Sequence, residues 1–331
     1  MFDSNPNRRT VLKAIGGTAA VAAVPTSVQA SDEKWRAVET PTEGTLHGTE
    51  ATTNGYYAVG EGGIVIHRTN EGWKKVLDGG PTGNGNDLYG SDTTDYGTRM
   101  WFVGSSGVIG EYDVETGNLE DHSAPNDNTN NYNDVAVTGE GGSANVYVAG
   151  DSGKIYYSFE NGESGTWEYV TPGSGSAIQS IDFHDDRSGH AVDSNGRVFE
   201  TTDGMTWEPI GLQDANVNFY GVVSRSETAH QTESDDVDSD GRDGVWVSGG
   251  GGMVFHYDGS QWTSADTGDA GLQDVTITSG EGYTVGGGGK LYEYDGDQWT
   301  QADTPTGENL KAVLQSTTDI AVGAGGTVLE H

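Results

Sequence analysis

The sequence predicts an all-β fold, a seven-bladed β-propeller of four-stranded antiparallel blades, and three observations carry that prediction. An apolar strand, a Gly-rich turn and a second strand recur seven times: AVGEGG (58–63), FVGSSG (102–107), VAGDSG (148–153), AVDSNG (191–196), VSGGGG (247–252), TVGGGG (284–289) and AVGAGG (321–326). The closing glycines, Gly63, Gly107, Gly153, Gly196, Gly252, Gly289 and Gly326, lie 44, 46, 43, 56, 37 and 37 residues apart, and strand-like units with a period near forty residues mark a propeller or an array. Tryptophan recurs behind the turn: Trp73, Trp167, Trp207, Trp262 and Trp299 each follow their closing glycine by ten to fourteen residues. Finally, YDGSQWTSADT (257–267) and YDGDQWTQADT (294–304) are almost one segment written twice, which is internal duplication.

The unit around Gly196 shows each element. Ile181 and Phe183 alternate with polar residues, as in a half-buried strand. A polar corner follows (184–189), then a short strand from His190 to Asp193 and a Ser194-Asn195-Gly196 turn. Asn-Gly tolerates positive φ at both positions and so closes hairpins. Arg197 to Thr202 form the returning strand, Asp203-Gly204 turn the chain again, and Trp207 opens a fourth strand ending near Pro209. Four antiparallel strands in about forty residues make one blade. The tryptophans read as packing anchors between blades, each burying a large area and asking one partner for its indole N–H. The second unit has Leu119 in that region instead.

The seventh unit reaches His331 after only three strands, while Lys34-Trp35-Arg36-Ala37-Val38 with Thr40-Pro41 resembles Trp167-Glu168-Tyr169-Val170-Thr171-Pro172. The N-terminal strand is therefore expected to complete the last blade, closing the ring and removing two open sheet edges.

Residues 31–331 are expected to form one propeller domain, and residues 1–30 a signal segment. Asn7-Arg8-Arg9-Thr10-Val11-Leu12-Lys13 resembles the twin-arginine export motif, a weakly apolar stretch (14–24) follows, and Val28-Gln29-Ala30 suits cleavage. The stretch is too short and too rich in Gly and Ala for a membrane span. An exported, extracellular or cell-surface protein is expected, with no membrane-spanning segment after cleavage. With no cysteine in the chain, disulfides, thiolate chemistry and Cys-ligated zinc are excluded.

The formal net charge is −35, from 51 acidic against 16 basic residues. Such a surface repels itself at ordinary ionic strength, whereas in molar salt the Debye length falls to about 3 Å and the repulsion is screened. Adaptation to a high-salt environment is the preferred reading; a basic partner is the alternative. Nucleic-acid binding is not expected, since a phosphate backbone needs a basic stripe.

The segment SIDFHDDRSGHAVDSNGRVFETTDGMTWEPI (180–210) resembles the repeat of the photosystem II stability and assembly factor family, the Ycf48-like propellers. The run Thr201-Thr202-Asp203-Gly204-Met205-Thr206-Trp207 carries the likeness and is also similar to the Asp-box of sialidase-type repeats; Thr69-Asn70-Glu71-Gly72-Trp73 is a partial copy. The resemblance implies a seven-bladed propeller that grips a protein partner, in a membrane or secreted complex, as a non-catalytic scaffold or assembly factor. An arginine-rich surface like that of photosynthetic members is not expected: Arg36, Arg68, Arg99, Arg187, Arg197, Arg225 and Arg242 are scattered.

The enzymatic alternative is a sialidase-like glycan-binding or glycoside-hydrolysing ring, which would need convergent arginines beside a Tyr–Glu pair and an acid. The eight histidines show no ligand-like spacing, and no phosphate loop, nucleophile elbow or HExxH motif occurs. Two candidate sites remain. Asp87, Asp134, Ser180, Asn218, Asp274 and Lys311 are aligned as openers of the innermost strands, which would gather them at one mouth of the channel for a cation or basic peptide. The competing reading has each satisfying backbone groups at its strand start. In the insertion 226–244, Asp236-x-Asp238-x-Asp240-Gly241 has the spacing that opens calcium loops. Val247 stands where an EF-hand would place glutamate, so any Ca2+ there is expected to be weak and structural. No other cofactor is expected.

Overall fold

The computed structural model describes residues 34–212, 215–225 and 244–331. Seven four-stranded antiparallel sheets surround a central channel. Their innermost strands are Leu46–Thr52, Leu88–Thr93, Tyr132–Thr138, Ile178–Phe183, Phe219–Ser224, Leu272–Thr278 and Leu310–Leu314 in blades 1 to 7, and each packs on the innermost strands of both neighbouring blades. In blade 7 the order is Leu310–Leu314, Ile320–Gly323, Val328–Glu330 and then Arg36–Val38 from the other end of the domain. Arg36 lies opposite Glu330, Ala37 opposite Leu329 and Val38 opposite Val328. The expected closure is thus observed. Residues 1–30, expected from sequence to be a signal segment, and the Asp236, Asp238, Asp240 candidate lie outside the described residues.

The core is divided into seven apolar clusters, each spanning the interface between two blades. Trp73 of blade 1 joins Leu314, Ile320 and Val322 of blade 7. Trp167 of blade 3 packs with Trp101 and Ile109 of blade 2, and Trp207 of blade 4 with Tyr147 and Ala149 of blade 3. Trp35 holds the same place in blade 7, against Tyr283 and Leu291 of blade 6. The fourth-strand tryptophan therefore anchors six of the seven blades to the preceding one, which is the role its recurrence predicts. Leu119 fills the corresponding position between blades 1 and 2.

Blade closure has a second fastening. Arg68 binds Glu330 through two bonds, Nε to Oε1 at 2.7 Å and Nη2 to Oε2 at 2.9 Å, and the Trp73 indole donates to Glu330 Oε1 at 3.1 Å. Blade 1 is thereby tied to the third strand of blade 7. The Arg68 fork holds the Glu330 carboxyl below the usual range, against the effect of burial.

The repeated glycine turn is a backbone requirement. At Gly326 φ is +67°, and a Cβ would collide with the carbonyl of Thr42 in the segment leading out of the closing strand. Gly325 has φ of +65° with only the Glu308 carboxyl carbon near it. Gly325→Ala should cost only the left-handed penalty, about 1–2 kcal/mol, whereas Gly326→Ala should cost that plus displacement of the 40–42 segment. Urea unfolding of the two variants at molar salt checks this; equal losses would contradict the close-approach argument.

The Asp-box is a turn, held by its own carboxylate. Asp203 Oδ1 accepts from the backbone N–H groups of Met205 (2.8 Å) and Thr206 (2.6 Å), and Oδ2 from the Thr206 hydroxyl (3.0 Å). Asp258 and Asp295 build the same device in blades 5 and 6. Hydrogen bonds to the ionised form lower all three pKa values, that of Asp258 to about 2.

Candidate functional site at the channel mouth

Every innermost strand carries a β-bulge at its second residue, breaking the register between Leu46 and Gly48 in blade 1 and at the matching point in the other six. The seven bulged residues are His47, Tyr89, Asn133, Gln179, Tyr220, Gln273 and Lys311. A bulge re-aims its side chain, and here all seven line the channel, each half-buried. The ring combines two phenols, three carboxamides, an imidazole and one ammonium. Lys311 donates to Gln273 Oε1 at 3.2 Å, and His47 meets Tyr89 edge-on at 5.3 Å. Burial, followed by the Lys311 charge, lowers the His47 pKa and favours the neutral imidazole.

Beneath the ring lie carboxylates that serve the backbone. An innermost strand has no ladder partner toward the axis, so some of its N–H groups need another acceptor. Asp134 Oδ1 accepts from Val135 N (2.9 Å) while Oδ2 accepts from Ile181 N (3.0 Å) and Ser180 Oγ (2.8 Å) of the next blade. Asp274 bonds Val275 N (2.8 Å) and, across the blade boundary, Val313 N (2.9 Å). Asp92 and Asp182, two register steps deeper, do likewise with Thr93 and Val137, and with Phe183 and Ser224. Each aspartate staples its strand to the next blade, and where the carboxylate is ionised the bonds are charge-assisted, worth about 1.5–3 kcal/mol apiece. Burial, reinforced by the charge of Asp274, raises the Asp134 pKa to about 7 despite its three donors. The space these residues line is about 150 Å3, ample to hold water.

The bulges correct the sequence alignment of the mouth. Asp134, Ser180 and Asp274 do share a register position, just below the ring. Lys311 is one residue earlier, in the ring itself. Asp87 and Asn218 precede their strands. Asp87 Oδ1 accepts from Gly62 N at 2.8 Å and so caps the glycine turn of the preceding blade, as Asn131 does for Ser106 and Asn309 for Gly288. Asn218 supplies its backbone carbonyl to Gly250 N at 2.9 Å. The six residues thus occupy three levels. Aligning the units on their glycine turns hides this, because the corner joining the first two strands varies in length from blade to blade.

Among the described residues the arginines do not converge. Arg99 pairs with Asp113 at 3.1 Å, Arg187 lies 3.3 Å over the Phe159 ring, and Arg197 donates to Ser174 Oγ at 3.4 Å. Among the described residues no arginine lines the channel.

Two groupings of histidine were not legible as spacing. Ser224 Oγ lies 2.8 Å from His184 Nδ1 and 2.7 Å from His190 Nδ1. Ser224 is 2% exposed and His190 5%, so this is a packed polar bridge between blades 4 and 5, out of a substrate's reach. Burial, helped by His184, lowers the His190 pKa to about 3. On the flank of blade 2, His122 meets Glu111 and Glu120.

Seven-bladed β-propellers of four-stranded antiparallel blades are the class this architecture defines. No family model and no curated relative matches the chain. Solved structures do. YCF48 bound to D1 peptide superimposes with a TM-score of 0.68 at 18% identity, covering 94% of this chain and 99% of that one. YCF48 from Cyanidioschyzon merolae gives 0.67 at 19%, covering 90% and 98%. Virginiamycin B lyase from Staphylococcus aureus, a catalytically inactive variant with quinupristin, gives 0.73 at 12%, covering 90% and 98%. The likeness to Ycf48-like propellers holds at the level of fold, and it is shared with propellers of other activities. Among the described residues, no helix is long and apolar enough to cross a membrane.

Proposed function

We propose that this protein is an exported, non-catalytic scaffold that holds a segment of a protein partner across the channel mouth, in the manner of an assembly or stability factor. The observation that carries the reading is the bulged ring. Seven half-buried side chains, rich in carboxamide and phenol, face one opening. Carboxamides both donate and accept, matching the alternating N–H and C=O groups of an extended peptide, and tyrosine supplies rigid contact area at low entropic cost. The carboxylates below are already committed to backbone N–H groups. The aromatic and amide ring, with Lys311, is therefore the recognition surface, and the acids are its foundation. The D1 peptide held by the YCF48 structure supports a protein segment as the class of ligand. Export by the twin-arginine route would place the partner at the cell surface or outside it.

The test is affinity capture with crosslinking from the native cells at molar salt, comparing the unaltered protein with Tyr89→Ala/Tyr220→Ala. One complex at fixed stoichiometry is expected, with retention by the double variant weakened about tenfold or more. Equal capture by both proteins would remove the mouth from the interface. Hydrolysis of a glycan by the unaltered protein would overturn the non-catalytic reading.

A further inference from the structure

The second and third strands of blade 2, Arg99–Gly104 and Ile109–Asp113, are followed by a fourth strand of only three residues, Leu119–Asp121. This is the outer strand without a tryptophan anchor. In its ladder Glu111 lies directly opposite Glu120. Like charges in that relation are destabilising, and Glu111 is 4% exposed, where an unbalanced carboxylate costs most; Arg99, 3.6 Å from its Oε1, is shared with Asp113, so its single charge leaves the pair unbalanced. The pair therefore asks for positive charge between its members.

His122 is placed to cooperate. Its ring stacks on Trp101 at 4.8 Å, and Nδ1 lies 3.1 Å from the Gly162 carbonyl oxygen. A carbonyl only accepts, so Nδ1 carries the hydrogen and, in the neutral ring, Nε2 presents its lone pair. That atom is enclosed and has no hydrogen-bond partner, on a side chain only 9% exposed. It points at Glu111 Oε2, 3.4 Å away, and Glu120 Oε2, 4.0 Å away, with one ligand atom from each residue inside a 4.8 Å span. Tetrahedral ligands at about 2.0–2.1 Å from an ion are separated by about 3.3 Å, so His122 and Glu111 already fit at 3.4 Å and the exposed Glu120 side chain, 4.0 Å from His122, must close in on them. The outer shell is in place: Asn161 Nδ2 donates to Glu111 Oε2 at 2.9 Å, and Arg99 Nε lies 3.6 Å from the other oxygen, Oε1. A backbone carbonyl fixing the imidazole and an amide fixing the carboxylate are the usual supports of metal ligands.

We propose that Glu111, Glu120 and His122 bind one divalent transition ion of the Zn2+ type, which ties the short outer strand of blade 2 to its sheet where other blades use tryptophan. A nitrogen ligand with two carboxylates favours such an ion over Ca2+ or Mg2+, which prefer all-oxygen sites. The fourth position opens toward the cleft between this strand and the 162–167 segment of blade 3.

The experiment is calorimetric titration of the chelator-treated full chain with ZnCl2 at molar NaCl, with excess CaCl2 present to occupy surface carboxylates. One saturable equivalent is expected, with a rise in melting temperature and, when Co2+ replaces Zn2+, a visible absorption band. Glu120 is exposed and lies outside the core, so Glu120→Gln should fold normally, leave the metal-free melting temperature within a degree or so, and weaken Zn2+ about tenfold or more. His122→Gln should weaken it further and abolish the Co2+ band. Absence of saturable binding up to about 1 mM free Zn2+ overturns the proposal and leaves a proton as the bridging charge. Binding unchanged in both variants overturns it in favour of diffuse association with the acidic surface.

Discussion

Truncating Trp35 to alanine is expected to destabilise the ring by about 3–5 kcal/mol, more than the same change at Trp299. The two residues hold equivalent places, before or at the start of the fourth strand of blades 7 and 6. Trp299 is only partly buried and its strand follows its neighbour through a tight hairpin. Trp35 is 4% exposed, meets Tyr283 edge-on at 5.4 Å, stacks on His331 at 5.2 Å and donates its indole hydrogen to Glu293 at 3.3 Å. Its strand is attached to the sheet by three register pairs alone, with the partner strand almost a full domain away in sequence. Loss of the anchor releases the strand and leaves Val328–Glu330 as an open edge, a template for pairing with another chain. Urea unfolding at molar salt should therefore show the larger loss for Trp35→Ala, and light scattering should show self-association for that variant only. Similar losses in both variants would mean that closure carries no special weight in stability.

Blade number, blade anatomy and the closing strand were legible in the sequence because each rests on a recurring element: glycine where φ is positive, tryptophan where blades meet, a strand pattern of period two. The mouth was less legible. The corner between the first two strands differs in length from blade to blade, with Leu88 paired to Gly104, Tyr132 to Gly150 and Leu310 to Gly323, so alignment on Gly63, Gly107 and their equivalents put Asp87, Asp134 and Lys311 on one level when they stand on three. The ring at the mouth, which includes Tyr89, Gln179 and Tyr220, has no residue type common to all seven positions, and only the register of seven hairpins brings it together. The His122 grouping was hidden for a related reason. Glu120 and His122 are two residues apart and so share a strand face, but Glu111 joins them only through the pairing of the third and fourth strands. Chemistry written along one strand could be read from the chain; chemistry written across strands required the ladder.

Buried His190 and half-buried Asp134 are expected to give the protein opposed pH dependences that largely cancel. His190, with its pKa lowered from 6.5 to about 3, stays neutral in the fold where the unfolded chain takes up a proton. Its contribution is complete above pH 6.5 and is lost as the pH falls from there toward 3, by about 1.4 kcal/mol per unit. Asp134, with its pKa raised from 3.8 to about 7, does the reverse. The fold binds a proton that the unfolded chain refuses, so stability is gained as the pH falls from 7 toward 4 and is lost again as it rises through 7. Between pH 6.5 and 4 the two slopes oppose one another, and unaltered protein should show little net effect from them. Removing either group uncovers the other. Relative to the unaltered protein, His190→Gln should gain about 3 kcal/mol between pH 6.5 and 4, and Asp134→Asn should lose about as much over the same interval. Differences between urea unfolding curves at molar salt isolate these slopes, since high salt screens the surface carboxylates common to all three proteins. Asp134→Asn also leaves backbone donors of blades 3 and 4 poorly matched, at about 1–3 kcal/mol, but that cost is nearly independent of pH and shifts the whole curve. A constant offset in both variants, with no change of slope, would show that neither group titrates differently in the fold. The channel aspartate would then be an ordinary ionised staple, with its three donors outweighing its burial.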